Sequence, residues 1–153
     1  SKNVILAIEE AKKGIEKRDG GPFGAVIVKD GKVIATGHNE VICSHDPTAH
    51  AEMVAIRKAS KVLERFDLSD CELYTTCEPC PMCFGAIHWA KIKKVYYGAT
   101  RHDAKEIGFD DEYIYEVLSN KIKDKNLSME NAERDNCLEI FKVYEKDEKK
   151  ELY

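Results

Sequence analysis

The chain has 153 residues, a net charge of −4 and a pI near 5.8, with 43% of its residues apolar and 34% charged. That length fits one soluble domain with a sizeable core, and no apolar run is long enough to span a membrane. Lysines are interleaved with acids throughout, and the lack of a basic stripe argues against a nucleic-acid polymer as partner.

Val4, Ile8, Ala11 and Ile15 recur at helical spacing, and Gly20-Gly21 ends that helix. Phe23 to Val28 is an apolar run, Asp30-Gly31 a hairpin turn, and Val33 to Gly37 the partner strand. A polar loop from His38 to His45 leads into a helix expected from about Pro47 to Leu63, with Met53, Val54 and Ile56 inward. Cys71 to Thr76 reads as a strand, Pro81 to Ala90 as a helix and Val95 to Ala99 as the next strand. Asp110 to Leu118 follows as a helix with Tyr113, Ile114 and Val117 on one side. Residues 119–131 form a polar connector, and Leu138, Phe141 and Tyr144 mark a last helix. Strand–helix–strand units of this length imply parallel pairing, and the hairpin adds an antiparallel strand. The expected fold is therefore α/β, a three-layer α/β/α sandwich with a mixed central sheet, and residues 1–153 are expected to form one domain.

The chemistry concentrates in two stretches, Thr48-Ala49-His50-Ala51-Glu52 and Thr76-Cys77-Glu78-Pro79-Cys80-Pro81-Met82-Cys83. Together they read H-x-E and P-C-x-x-C, the pattern of zinc-dependent base deaminases. His50, Cys80 and Cys83 offer one imidazole and two thiolates, which suit Zn²⁺, and three protein ligands leave a fourth tetrahedral position for water. Glu52 is not needed as a ligand and is expected to move protons between that water and the substrate. Pro81 suits the first position of a helix, which makes Cys80 cap-like and places Cys83 about a turn later, at the end where backbone N–H groups favour thiolate. His50 is expected in the first turn or two of its helix. Residues two apart on a helix face opposite ways, so His50 and Glu52 share a metal only if it lies over the helix end. The competing reading is a structural zinc site with Cys77 as fourth ligand, but Cys77 ends a strand and such a site gives Glu52 no task. Cys43, Cys71, Cys77 and Cys137 read as buried or incidental thiols. The N-terminal stretch has no signal-peptide core, so the cysteines suit a reducing compartment and cytoplasm is the expected location.

The order of Gly-Pro-Phe-Gly-Ala (21–25), Asn39, Asp-Pro-Thr-Ala-His-Ala-Glu (46–52) and Cys-Glu-Pro-Cys-Pro-Met-Cys (77–83) resembles the cytidine-deaminase-like superfamily, and more closely its bacterial guanine deaminases. The likeness covers roughly Gly21 to Tyr115. H-x-E and P-C-x-x-C are shared with tRNA adenosine deaminases and yeast-type cytosine deaminases, so they mark chemistry and not substrate. The segment Gly108-Phe109-Asp110-Asp111, the lack of a basic surface and the C-terminal tyrosine point to guanine. The resemblance implies a homodimer that exchanges residues 119–153 between subunits, a base stacked near Phe23, and Asn39 and Asp111 on its polar edge. It also implies that Tyr153 reaches a site, its own or the partner's.

Hydrogen bonding supports the same substrate. Guanine presents an N–H and an adjacent amino group where adenine and cytosine present a ring acceptor, and a carboxylate such as Asp111 only accepts. Simpler explanations exist for each residue: acids at 110 and 111 can cap a helix, Asn39 can close a turn, Phe23 can be core, and His38, His45 and His102 read as surface or loop histidines. Glu78 is a candidate support for a zinc ligand. The expected activity is zinc-dependent hydrolytic deamination of guanine to xanthine and ammonia. The rivals are a deaminase of tRNA adenosine, cytosine or a nucleoside, and a non-catalytic zinc-stabilised binding module.

Overall fold

A computed structural model describes residues 1–153 as α1 (Lys2–Lys17), β1 (Gly24–Lys29), β2 (Lys32–His38), α2 (Ala51–Leu63), β3 (Glu72–Cys77), α3 (Pro81–Trp89), β4 (Lys94–Ala99), α4 (Arg101–Glu106), α5 (Glu112–Leu118) and α6 (Arg134–Lys146). Two compact units divide the chain, residues 1–115 and 116–153.

In the first unit the strands form one mixed sheet in the order β2-β1-β3-β4. β1 runs antiparallel to β2 and β3, and β3 runs parallel to β4 across the α3 connection. The hairpin turns at Asp30-Gly31, both with positive φ (50° and 76°), the geometry that matches the twist of a two-residue turn. β1 is central and buried on both faces, which explains its unbroken apolar run. Ala25 and Ile27 pack with Ala51, Ala55, Ala59 and Ile87 on one face, while Val26 and Val28 pack with Ala7, Leu6 and Tyr74 on the other. Helices thus cover both faces, the three-layer α/β/α arrangement expected from the strand and helix order.

Two local expectations are corrected. The face that α1 buries is Ala7, Ala11 and Gly14, whereas Ile8 and Ile15 are 37% and 51% exposed. Close approach decides the phase: a Cβ on Gly24 of β1 would stand 2.0 Å from the Ala7 carbonyl oxygen, so only small residues fit between helix and strand. The helix expected from Pro47 begins instead at Ala51. Asp46 Oδ1 accepts the Thr48 N–H at 2.8 Å and the Thr48 hydroxyl at 2.7 Å, closing an Asx turn over Pro47 that competes with helix. The short α4 was not expected; Thr100 and Asp103 form a capping box at its start.

In the second unit α6 buries no side chain, and Ile140, Phe141 and Val143 are exposed. The Tyr144 hydroxyl donates to the Glu151 carbonyl at 2.7 Å, folding the terminal residues back along α6. No helix of the chain is long and apolar enough to cross a membrane.

Candidate active site

Two helix starts converge. His50 is the N-cap of α2 and Cys80 the N-cap of α3, both in extended conformation, with Pro81 opening α3 and Cys83 on its first turn. The N-cap position answers the facing problem. His50 lies before the first helical turn rather than within it, so its ring swings over the helix end while Glu52 points to the same side. Cys80 Sγ lies 3.5 Å and Cys83 Sγ 3.7 Å from His50 Nδ1, and the three ligand atoms all fall within 4.8 Å of one another. A tetrahedral zinc with Zn–S near 2.3 Å and Zn–N near 2.0 Å places its sulfur and nitrogen ligands about 3.5 Å apart, so the residues fit that ion. Cys77, the candidate fourth ligand, stands outside the cluster. Its Sγ faces the Thr100 carbonyl at 3.7 Å, and burial pushes the thiol up to about 11.

The charges of the cluster are arranged for metal. Cys80 is held below the ordinary thiol range, chiefly because Cys83 donates a hydrogen bond to it and His50 adds another. Cys83, as donor, is correspondingly raised. The Cys80 hydrogen bond raises His50 against the opposing effect of burial. Glu52 is buried, 6% exposed, and desolvation pushes its carboxyl up to about 7, with the nearby Cys80 adding and His50 opposing. A bound dication would pull it down again. A carboxyl at that position can both take and return a proton.

His50, Glu52 and Cys80 line a pocket of ≈ 740 Å³, a size that suits a small ligand. One wall is aromatic: Phe23 meets Phe109 edge-on, ring centroids 5.0 Å apart, and Gly21 fits beneath both rings. Asn39 is buried, and its Oδ1 accepts the Val41 N–H at 3.0 Å, which leaves its amide N–H groups as donors. The turn-closing explanation and a binding role therefore coexist in one side chain. Asp111 and Asp110 divide two tasks. Both line the pocket, but Asp110 Oδ1 accepts the Glu112 N–H at 2.9 Å at the start of α5, while burial raises the Asp111 carboxyl.

Residues 1–99 match the cytidine and deoxycytidylate deaminase zinc-binding region. The chain belongs to this deaminase family. It is 56% identical over 124 residues to the guanine deaminase of Bacillus subtilis strain 168, covering 81% of this chain and 77% of that one. The solved structure of guanine deaminase from Bacillus subtilis superposes with a TM-score of 0.94 at 47% identity, covering 99% of this chain and 97% of that one. A solved complex with 2,6-diaminopurine matches at 36% identity with a TM-score of 0.66, over 71% of this chain and 61% of that one. The tRNA-specific adenosine deaminase of Aquifex aeolicus is 48% identical over 94 residues, 61% of this chain and 62% of that one.

In this deaminase-family chain the structure brings His50, Glu52, Cys80, Phe23, Asn39 and Asp111 to one pocket, with Cys83 behind it. Tyr153 ends the second unit and is exposed. Sequence reasoning missed Phe109 and Arg101 as pocket residues. The Arg101 guanidinium covers the Tyr115 ring at 4.4 Å, and the Arg101 N–H donates to Glu78 Oε1 at 3.0 Å. Glu78 therefore braces the turn into α4. The capping-box pattern of Thr100 and Asp103 was the available signal for that turn. His38, read as a surface or loop histidine, is instead held between two carboxylates.

Proposed function

We propose that the protein hydrolyses guanine to xanthine and ammonia, with His50, Cys80 and Cys83 holding zinc. The observation that carries the reading is the convergence of a three-residue N/S cluster, a buried carboxyl and an acceptor-only carboxylate on one pocket, in a chain 56% identical to a guanine deaminase. When bound, zinc lowers the pKa of a water molecule so that it can attack an amidine carbon at neutral pH.

The chain's own residues do the rest. Glu52 takes the proton released from water and gives it to the ring nitrogen, then moves the remaining proton of the added hydroxyl to the departing amine as the carbonyl forms. Phe23, with Phe109, supplies a stacking surface for a planar base. Asp111 accepts from the N–H edge of guanine, and adenine or cytosine would set a ring acceptor against it; an unpaired buried polar group of that kind discriminates strongly. The Asn39 amide donates to a guanine acceptor. Ammonia release measured on guanine, guanosine, adenine, cytosine and tRNA tests the assignment. Guanine turnover well above the others is expected, and preferential tRNA deamination would transfer the chain to the adenosine-specific branch.

We further infer a cytoplasmic homodimer that exchanges residues 119–153, with Tyr153 closing a substrate site. Exposed apolar side chains on α6, together with Leu152 at 75% exposure, support this reading, because such surface is usually covered by a partner. Sedimentation of the full chain as a monomer would remove it.

A further inference from the structure

The segment that follows α1 and the segment that follows β2 form neighbouring parts of one pocket wall, contributing Gly20 and Gly21 on one side and Asn39, Val41 and Ile42 on the other. Backbone contacts join them. The Asp19 carbonyl accepts the Ile42 and Cys43 N–H groups, both at 3.0 Å, and the Asn39 N–H donates to the Phe23 carbonyl at 3.1 Å. Gly20 lies so close to Asn39 that a Cβ would stand 2.1 Å from its Oδ1. One side chain ties this assembly together. His38 Nδ1 lies 3.0 Å from Glu10 Oε2 and His38 Nε2 lies 2.7 Å from Asp19 Oδ2, with 13% of the side chain exposed.

A neutral imidazole has one N–H, and a carboxylate has none to give; both contacts are hydrogen bonds only when the ring is the imidazolium. We infer that His38 is a positioning residue for the substrate: as an imidazolium bridging Glu10 and Asp19, it clamps the Asp19–Gly21 turn against the Asn39–Cys43 loop and so holds the Asn39 amide on the pocket wall. The surrounding charges agree. Burial works against a charged His38, but the hydrogen bonds to Glu10 and Asp19 outweigh it and raise the ring above its usual range. On α1, Glu10 also faces Lys13 and Thr36 of β2, while Asp19 also faces Lys17 and Cys43. None of these groups belongs to the His50–Cys80–Cys83 cluster. Gly14 of α1 leaves the space the ring occupies, since a Cβ there would stand 2.7 Å from it.

The substrate half of this inference rests on the guanine deaminase reading, and the clamp itself does not. The test compares the zinc-loaded full chain with His38→Gln and Glu10→Gln, using guanine as substrate and hydrogen exchange of the Ile42 and Cys43 amides at one fixed pH. His38→Gln is expected to raise KM about tenfold with kcat within about threefold, and to speed exchange at both amides about tenfold. Glu10→Gln leaves Asp19 as the lone carboxylate, so a neutral ring can donate to it and accept from the new amide. The ratio of its KM to that of the wild type should therefore fall as pH rises past the point where wild-type His38 loses its proton, and guanine's own titration cancels in that ratio. Unchanged amide exchange in His38→Gln overturns the clamp, and so does a loss carried by kcat with KM unmoved. If the unaltered chain releases no ammonia from guanine, the function fails while the exchange rates still decide the clamp.

Discussion

Cys80 Sγ and His50 Nδ1 lie 3.5 Å apart although 30 residues separate them in the chain. Each is the residue that opens a helix, so the metal site is built where unsatisfied N–H groups and the positive ends of two helix dipoles meet. That setting favours thiolate at Cys80 and leaves the bulk of both helices free to pack on the sheet. Cys83→Ala, or exposure to a strong chelator, is expected to remove zinc and abolish ammonia release. Cys77→Ser should retain one zinc per chain in elemental analysis; loss of the metal there would make Cys77 a ligand after all.

Glu52 is assigned the proton transfers. Glu52→Gln keeps the volume and a buried polar side chain, so zinc content and thermal midpoint should stay near those of the wild type. Its kcat is expected to fall by about 10²–10⁴, the usual contribution of a positioned acid–base group. Near-normal turnover of guanine in this variant would end that assignment.

The two neighbouring acids before α5 can be separated by their effects. Asp111→Asn should raise KM for guanine much more than for other bases, read from the ammonia assay. Asp110→Asn should leave KM alone, because its carboxylate serves the Glu112 N–H. The cost there is a fraction of a helix cap, roughly 0.5–1 kcal/mol of stability. Equal loss on every substrate in Asp111→Asn would reduce Asp111 to a helix-start residue.

The contact of α1 with β1 predicts a sharp steric response. Gly24→Ala forces a methyl to within 2.0 Å of a backbone carbonyl, which no side-chain rearrangement can relieve. Overpacking of this kind costs roughly 3 kcal/mol or more, seen as a fall of several degrees in the thermal midpoint. Ordinary stability in Gly24→Ala would mean that α1 packs elsewhere.

Stability should also depend on pH through His38. Its folded pKa lies above the unfolded value of 6.5, so its contribution is complete below pH 6.5 and is lost as pH rises through the raised folded value. Glu10 and Asp19 lie below their unfolded values of 4.5 and 3.8, so their contribution is present above those values and lost as pH falls through the lowered folded ones. The midpoint difference between the wild type and His38→Gln should therefore be largest between these limits and shrink on both sides. A difference that does not vary with pH would show that the ring acts by packing alone.

How much could be read from residues alone follows a physical division. The strands, the Asp30-Gly31 turn, the parallel crossover and the metal-ligand set depend on period, turn chemistry and the donor atoms of neighbouring residues, and these are local properties. The sequence by itself therefore determined the fold class and the chemistry class. Other features depend on what stands across a gap. Ala7 and Ala11 face inward because Gly24 lets the backbones approach, against the larger isoleucines that the helical period alone would choose. His50 caps its helix because Asp46 claims the preceding turn, and His38 became a bridge only when Glu10 and Asp19 arrived from other parts of the chain. Only the tertiary structure could decide these, since close packing and ion pairing are set by groups that are distant in sequence and adjacent in space.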